Sequence, residues 1–382
     1  MLILIENGEV YAPEQIGVRS VLIAGGLILK IGDSDKHALE ALGPDLEVID
    51  ASRCVVTPGL IDPHEHLLGG SGESGFSTQT PEIHLSEIVT AGITTVVGAL
   101  GVDTTMKTMA GLLARAKALI EEGMTAFIWS GGYNVPPTSI TGSVRNDILY
   151  VAEVIGAGEI AISDERSTDP EPHELARLVS DAYVGGLLSK KAGVTHFHVG
   201  DKEGRLSPLR ALMDDFDVQP GMLYPTHVER SEALMREAIE MSLRGMFVDI
   251  DTVEEDLPRW LRFFLDNGGD PKKLTASSDA SITSPHNLYG QIRACVTEHG
   301  FPIEQVLPIV TRNTSEALKL KSKGRLEAGN DADVLVLRKG SFEIKDVIAR
   351  GKRRVKDGRL ITPERFLADS NREISLHGTK PG

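Results

Sequence analysis

The chain has 382 residues, of which 41% are hydrophobic and 25% are charged, the proportions of an ordinary globular protein. Its 40 Lys and Arg and 55 Asp and Glu residues give a formal net charge of −15, so we expect no nucleic-acid partner, because phosphate backbones repel an acidic protein. The two cysteines, Cys54 and Cys295, form no CxxC motif and no disulfide framework, which favours a cytoplasmic location.

Both ends of the chain contain short apolar runs separated by glycine, a pattern typical of a small β-sheet. The first runs occupy residues 1–56, where no basic segment precedes the apolar start and Glu6 interrupts it, so we expect no signal peptide and no membrane span. The pattern returns over residues 321–365. We therefore expect the two ends to build one small β-domain, followed by a polar tail at residues 366–382.

Between the two ends, over residues 57–320, short β-branched runs alternate with amphipathic runs of helical periodicity, including residues 105–123 and 231–245. The eight strand candidates are 59–66, 94–101, 125–133, 159–165, 194–200, 223–228, 246–252 and 274–280. Eight βα units over about 250 residues predict a TIM (β/α)8 barrel, with a doubly wound open sheet as the alternative. No GxGxxG motif follows a first strand, and no Walker A motif is present.

Several candidate strands end in residues that bind metals, and a TIM barrel has its active site at these ends. The first strand ends in the sequence HEH, where His64 and His66 share a face and can share one ion; the alternative is a loop with two exposed histidines. The fifth, sixth and eighth strands supply His198, His227 and Asp279. Their recurrence at matching strand ends predicts a site with nitrogen and oxygen ligands, suited to zinc or a neighbouring metal.

The fourth candidate strand has charged residues at both ends. Glu159, at its beginning, either points into the barrel and bridges two metal ions, or caps the strand and pairs with a lysine or arginine. Arg166 follows the strand, where its guanidinium suits a substrate carboxylate, and a surface salt bridge is the alternative. His196 shares a face with His198 but lies deeper, so we expect it to pack in the interior.

An ordered series of motifs along most of the chain resembles the isoaspartyl (β-aspartyl) dipeptidase family of the amidohydrolase superfamily. The series comprises VTPGLIDPHEH, GGSGESG, TPEIHLSEIVTAGITTVVGALG, GGYNVPPTSITGSV, AISDERS, GVTHFHVGD, PTHVER, SSDAS and KGRLEAGNDADVLVL. The resemblance implies a TIM barrel with a small β-sandwich domain built from both chain ends, and it implies a homo-oligomer.

The resemblance also implies roles for the candidate ligands. His64 and His66 would bind the more buried metal ion, and His198 and His227 the other, while Asp279 would complete the site and act as the acid and base. For the substrate, the resemblance implies four contacts. Glu73 would receive the α-amino group, Tyr133 would polarise the scissile carbonyl, and the two residues that hold the carboxylates would be Arg166 and Arg230.

The chain departs from the family pattern at three positions. Glu159 stands where the family typically has a carboxylated lysine, and a glutamate is a carboxylate on a shorter arm. We expect it to bridge two Zn²⁺ ions from a backbone closer to them, and the alternative is that only one metal ion binds. Val102 replaces a threonine near the substrate and loses a hydroxyl contact. Thr283 replaces a serine and keeps the hydroxyl.

These observations predict metal-dependent hydrolysis of the isopeptide bond of β-aspartyl dipeptides, with a metal-bound hydroxide as the nucleophile. An alternative is another amidohydrolase that cleaves N-acyl amino acids or a cyclic amide, which Glu159 and Val102 support. A third interpretation is a non-catalytic scaffold, and the complete set of candidate metal ligands argues against it.

Overall fold

A computed structural model describes residues 2–41 and 45–371 of the chain. Within these ranges, parallel strands in the middle of the chain form a barrel, and strands from both ends form a second sheet. The prediction of a TIM barrel with a small β-domain is therefore confirmed. In the predicted polar tail, Phe366–Asp369 form a short helix, and the residues after 371 lie outside the described part.

Strands and helices alternate through the middle of the chain. In chain order, the strands are β1 (Leu2–Tyr11), β2 (Gln15–Ala24), β3 (Leu27–Gly32), β4 (Leu46–Asp50), β5 (Cys54–Pro58), β6 (Leu60–Glu65), β7 (Ile93–Gly98), β8 (Thr125–Ser130), β9 (Val154–Ile162), β10 (Thr195–Val199), β11 (Leu223–Thr226), β12 (Val248–Asp251), β13 (Leu274–Ser277), β14 (Val334–Arg338), β15 (Ile344–Ala349), β16 (Lys352–Lys356) and β17 (Arg359–Leu360). The helices are α1 (Lys36–Glu40), α2 (Leu85–Thr90), α3 (Met109–Glu121), α4 (Val144–Tyr150), α5 (Pro172–Ser189), α6 (Ser207–Asp215), α7 (Glu232–Leu243), α8 (Leu257–Asp266), α9 (His286–Thr297), α10 (Ile303–Val306), α11 (Arg312–Ala317) and α12 (Phe366–Asp369).

The small domain combines strands from both chain ends. Its hydrogen-bonded order is β17-β16-β15-β14-β5-β1-β2-β3, and β4 also pairs with β1. Residues 2–6 of β1 pair with β4, whereas Glu9 and Val10 pair with β5, so β1 changes partners along its length. Apolar side chains from both ends form a separate core that includes Ile3, Ile5, Val21, Ile49, Val334, Val336 and Ile348. The predicted domain boundaries stay a prediction.

Strands β6 to β13 form the barrel. Six of them run parallel in the order β11-β10-β9-β8-β7-β6, and β12 pairs in parallel with β13. The segment after β13 meets β6, because the amide of Asp279 donates to the carbonyl of His64 at 3.1 Å and the amide of His66 donates to Ala280 at 2.9 Å. The eight predicted strands are thus all present within the described residues, and their carboxyl ends meet at one rim.

Strand β9 begins at Val154 and not, as predicted, at Glu159. Glycines in a sequence usually indicate turns, but Gly156 and Gly158 lie inside this strand. A Cβ on Gly156 would lie 2.4 Å from the carbonyl oxygen of Val194, so β9 and β10 approach each other only because Gly156 has no side chain. Glu159 is therefore inside the strand, with its side chain in the barrel.

Two predicted helices have conventional starts. The Thr108 hydroxyl accepts a hydrogen bond from the amide of Gly111 at the start of α3, and Ser231 does the same for Leu234 at the start of α7. Among the helices of the described residues, none combines the length and the apolar character that crossing a membrane requires.

Candidate active site

The side chains predicted to bind metal meet inside the barrel at the carboxyl ends of its strands. They are His64, His66, Glu159, His198, His227 and Asp279. Glu159 lies at the centre, with Oε2 at 3.2 Å from Nε2 of His64. Its Oε1 lies 2.7 Å from Nδ1 of His198 and 3.3 Å from Nε2 of His227. The fold thus brings all six residues together, and their role as ligands stays a prediction.

Asp279 contacts the two histidines at the carboxyl end of β6. Its Oδ1 lies 3.0 Å from Nε2 of His66 and 3.5 Å from Nε2 of His64. Glu159 is fully buried, and in the described part of the chain no lysine or arginine pairs with it. The structure therefore excludes the alternative in which Glu159 caps a strand and pairs with a lysine or arginine.

Three atoms of this cluster lack hydrogen-bond partners. Nε2 of His64, Oε2 of Glu159 and Oδ1 of Asp279 are all buried, and none has a partner among the described residues. Buried polar atoms are normally satisfied, so their convergence is the arrangement expected where a cation binds. Imidazole nitrogens and carboxylate oxygens bind zinc at about 2.0–2.2 Å, so atoms 3.2–3.5 Å apart fit around one ion.

The charged groups of the cluster shift one another's pKa values. Burial lowers the pKa of His64, but the nearby charges of Glu159 and Asp279 outweigh burial and raise that pKa to about 10. Burial raises the pKa of Glu159, but the charge of His64 and the hydrogen bond with His198 hold it well below its usual range. The carboxylates therefore stay ionised and attract positive charge, which protons or metal ions can supply.

Three of the histidines contact another group with the nitrogen that faces away from the cluster. Nδ1 of His64 lies 3.3 Å from Nε2 of His196. Nε2 of His198 lies 3.0 Å from Oδ2 of Asp164, and Nδ1 of His227 lies 2.6 Å from Oδ2 of Asp251. Such contacts determine which ring nitrogen keeps its lone pair for a metal.

His196 has the buried position that the sequence predicted. Its ring stacks on Trp129 with 5.0 Å between the ring centroids. Nδ1 lies 2.9 Å from the carbonyl oxygen of Tyr224, so it carries the proton and donates it. Nε2 is then an acceptor, and it faces Nδ1 of His64. His196 therefore packs in the interior and also contacts a candidate ligand, which the sequence did not indicate.

The residues predicted to bind substrate at its charged groups lie beside this cluster. The Tyr133 hydroxyl is buried and lies 2.8 Å from Nδ1 of His198. Arg166 donates from Nη1 to the Glu73 carboxylate at 3.0 Å, and its guanidinium carbon is 5.2 Å from the centroid of the Tyr133 ring. Arg166 is therefore not in an isolated surface salt bridge, because it also lies against the Tyr133 ring at the candidate site.

The other three predicted substrate residues lie on separate loops. Arg230 follows β11 and donates to Asp201 at 3.1 Å. Val102 is next to Gly101, where a Cβ would lie 2.6 Å from the His66 ring. The Thr283 hydroxyl is buried and has no hydrogen-bond partner among the described residues, as expected of a group kept for a ligand. The loops that carry these residues all leave the same rim of the barrel.

Two carboxylates behind the histidines were missed as functional residues. Asp251 ends the seventh predicted strand, so the criterion that found Asp279 could also have found Asp251. For Asp164, near the end of the fourth candidate strand, the sequence indicates only that it orients the loop or pairs with an arginine, and it does pair with Arg166. The contacts of Asp164 depend on how the chain turns after β9, where Ser163 has a left-handed φ of 52°, and no sequence pattern signals that turn.

Comparisons with known proteins agree with this geometry. The model of the amidohydrolase family matches residues 235–354. The crystal structure of β-aspartyl dipeptidase from Fervidobacterium islandicum AW-1 is similar over 94% of this chain and 98% of that one, with a TM-score of 0.90 and 37% identity. A second structure of that protein, in complex with a β-Asp-Leu dipeptide, has a TM-score of 0.89 and 36% identity over 94% of this chain and 97% of that one.

Two further relatives have other names. Imidazolonepropionase of Methylobacterium nodulans is 35% identical over 323 residues, which cover 76% of this chain and 80% of that protein. Adenine deaminase 2 of Agrobacterium fabrum is 24% identical over 377 residues, and the match covers 94% of this chain but only 56% of that protein. The structural similarity to the dipeptidase extends over nearly the whole length of both chains.

Proposed function

Because the chain belongs to the amidohydrolase family, we propose that it hydrolyses the isopeptide bond of β-aspartyl dipeptides. The observation that carries this proposal is the site itself, where Glu73, Tyr133 and Arg166 lie together beside the cluster of histidines and carboxylates. A β-aspartyl dipeptide has an α-amine, an amide and two carboxylates, and these three residues match the amine, the amide and one of the carboxylates. The extensive similarity to the dipeptidase supports the same substrate class.

We propose that the cluster holds Zn²⁺, with two ions bridged by Glu159. The two oxygens of Glu159 support this, since Oε2 lies 3.2 Å from His64, whereas Oε1 lies 2.7 Å from His198 and 3.3 Å from His227. Zinc bound there would lower the pKa of a water molecule toward ~7 and so supply a nucleophile at neutral pH. Metal analysis of wild type and Glu159→Ala tests the bridge, and an unchanged zinc content would contradict it.

The chain's own residues provide the proton transfers and the oxyanion contact. Asp279 is ionised, because burial, which raises its pKa, is outweighed by the nearby charges of His64 and His66, which lower it. It accepts a proton from the attacking water and then delivers it to the leaving amine. The Tyr133 hydroxyl donates a hydrogen bond to the carbonyl oxygen as negative charge develops there.

The charged groups around the mouth of the site supply specificity. Glu73 receives the α-amine, and Arg166 and Arg230 hold carboxylates, while Thr283 and Val102 border the substrate. Glu73 and Arg166 pair with each other in the structure, so a substrate exchanges this contact for its own ammonium and carboxylate. A molecule that lacks one of these groups leaves a protein charge unpaired.

A comparison of two dipeptides tests the proposed function. We expect rapid release of leucine from β-Asp-Leu and little from α-Asp-Leu, because only the first places its amide where the charged groups hold the aspartyl end. The purified, zinc-loaded chain is assayed with each dipeptide, and free amino acid is measured. Equal rates for the two dipeptides would contradict the proposal.

A second candidate function is another amidohydrolase activity, on N-acyl amino acids or on a cyclic amide. The observation that favours it is the 35% identity to a protein named imidazolonepropionase. An assay with imidazolone propionate and with N-acetyl amino acids separates the candidates. Turnover of either compound that exceeds turnover of β-Asp-Leu would favour the second candidate.

We also propose that the chain is cytoplasmic and forms a homo-oligomer. Both cysteines, Cys54 and Cys295, are buried free thiols, which suits a reducing compartment. Leu187 and Leu188, near the end of α5, are each 64% exposed, which supports a contact between copies. Sedimentation at the mass of the 41.2-kDa chain alone would contradict the oligomer.

A further inference from the structure

The carboxylate of Asp164 lies between the metal cluster and the arginine predicted to bind substrate. The residue is only 4% exposed, and both carboxylate oxygens have partners. Oδ1 accepts hydrogen bonds from the amide and from Nε of Arg166 at 2.7 and 2.9 Å. Oδ2 accepts from Nη2 of Arg166 at 2.8 Å and lies 3.0 Å from Nε2 of His198. One carboxylate therefore contacts a candidate ligand and a candidate substrate residue.

The contact between Asp164 and His198 bears on which nitrogen of His198 can bind a metal ion. Nδ1 of His198 faces the cluster, 2.7 Å from Oε1 of Glu159. A histidine ligand needs a lone pair on the nitrogen that faces the metal, so the ring proton has to be on Nε2. A carboxylate can only accept hydrogen bonds, so Asp164 beside Nε2 favours this tautomer. Nη2 of Arg166, which can only donate, also lies 3.1 Å from Nε2 of His198, but it is closer to Oδ2 of Asp164, at 2.8 Å.

The same arrangement occurs at the neighbouring histidine. Nε2 of His227 faces Glu159 at 3.3 Å, while its Nδ1 contacts the buried Asp251 at 2.6 Å. The difference is that Asp251 also accepts hydrogen bonds from the backbone amide of Val253 and from the side chain of Glu229, whereas Asp164 binds Arg166. Only the carboxylate behind His198 is thus connected to the substrate side.

The contacts with Arg166 fix its guanidinium. Two parallel hydrogen bonds to one carboxylate hold the guanidinium plane in a single orientation. Nη1 is left pointing at Glu73, toward the position proposed for the substrate. The chain after β10 leaves space for this arrangement, because a Cβ on Gly200 would lie 2.4 Å from the Cβ of Asp164.

We propose that Asp164 is a positioning residue that orients His198 and Arg166 together, so that metal binding and substrate binding depend on one carboxylate. The substrate half of this inference rests on the proposed function, whereas the metal half rests on the geometry of the cluster. Replacement of Asp164 then affects two measurements that a simple structural role in the loop would not link.

The test compares Asp164→Asn with two other variants. Asparagine keeps the size but presents an N–H to either His198 or Arg166. We expect the affinity for Zn²⁺, titrated into metal-stripped protein against a chromophoric chelator, to fall about 10–100-fold. We also expect the KM for β-Asp-Leu to rise about tenfold, since charged hydrogen bonds to Arg166 are lost. Circular dichroism checks that the variant is folded.

The other variants separate the two roles. Arg166→Ala should raise KM and leave the zinc affinity unchanged. Glu165→Gln removes the exposed charge next to Asp164 and should change neither measurement. A wild-type zinc affinity in Asp164→Asn, or a wild-type KM, would overturn the proposal. If the wild type does not cleave β-Asp-Leu while Asp164→Asn still loses zinc affinity, the proposed function fails and the positioning of His198 stands.

Discussion

At the scale of single residues, the Tyr133 hydroxyl has the position and the protonation state that an oxyanion donor needs. It is buried beside the cluster, 2.8 Å from Nδ1 of His198. Burial raises the pKa of Tyr133 well above its usual value, and the charge of Glu159 adds to this effect. The hydroxyl therefore keeps its proton at neutral pH and can donate it in a hydrogen bond.

We expect Tyr133→Phe to lower kcat for β-Asp-Leu by about 10²–10³-fold with little change in KM, because the lost hydrogen bond acts mainly in the transition state. Steady-state kinetics measures both parameters. Tyr150→Phe is the matched control, since Tyr150 is 77% exposed at the end of α4 and should behave like wild type. A near-wild-type kcat for Tyr133→Phe would remove this residue from the mechanism.

His196 acts on His64 as a neutral acceptor. Burial, together with the charge of His64, holds the pKa of His196 well below its usual value, so the ring is neutral at neutral pH. Its Nδ1 donates to the carbonyl of Tyr224, and its Nε2 accepts from Nδ1 of His64. Nε2 of His64 is then the nitrogen that faces Glu159 and Asp279.

We expect His196→Asn to weaken zinc binding about tenfold or more, because asparagine can still donate to Tyr224 but cannot reach His64. Zinc affinity is measured by chelator competition on the stripped protein. His299→Asn, at an exposed position after α9, is the control and should bind zinc as wild type does. If both variants bind zinc equally well, His196 only packs.

The sequence could predict the side chains of the cluster but not the groups behind them. Because strand ends converge at one rim of a barrel, His198 and His227 could be placed together without a structure. The partner of each outer nitrogen depends on loop conformation. His227 and Asp279 themselves have left-handed φ angles of 64° and 45°, which sequence periodicity does not predict.

At the scale of elements, the barrel strands were predictable because each combines β-branched residues with a flanking turn signal. The start of β9 could not be predicted in this way, because its glycines are typical turn residues. A glycine is needed at position 156 because of tertiary packing, since a side chain there would meet the carbonyl of Val194 and the ring of Trp129. A close approach between strands leaves no periodic pattern in the sequence.

We expect Gly156→Ala to lower the free energy of unfolding by about 1–3 kcal/mol, because the added methyl group would lie 2.4 Å from backbone and displace β9. Urea denaturation measures the change. Gly290→Ala in α9 is the control; nothing lies within 4 Å of its Cβ position, and alanine should stabilise the helix by up to about 1 kcal/mol. Equal denaturation midpoints for the two variants would contradict the argument.

At the scale of the whole molecule, Lys323 joins the barrel to the small domain. Its buried ammonium donates to Asp333, just before β14, at 2.5 Å and to the hydroxyl of Thr125, at the start of β8, at 2.8 Å. Asp331 lies 3.0 Å from the same ammonium. This buried ion pair lies between the hydrophobic core of the barrel and that of the small domain and links the two.

We expect Lys323→Met to cost about 3–5 kcal/mol of unfolding free energy, because the buried Asp333 carboxylate loses its cation. Thermal and urea unfolding measure this. Lys321→Met, two positions earlier and exposed, removes the same charge outside the contact and should change little. Similar losses in both variants would show that general charge, and not this contact, is responsible.

Because Glu73 and Arg166 contact each other directly, a ligand that replaces this contact needs both a positive and a negative group. An amine alone would take Glu73 away from Arg166 and leave the guanidinium with Asp164 as its partner, and a carboxylate alone would leave Glu73 without its cation. A zwitterion of matching span replaces both halves at once. If Glu73 and Arg166 bind substrate as proposed, we expect simple amines and simple acids to bind more weakly than a β-aspartyl compound, because each satisfies only one of the two charges.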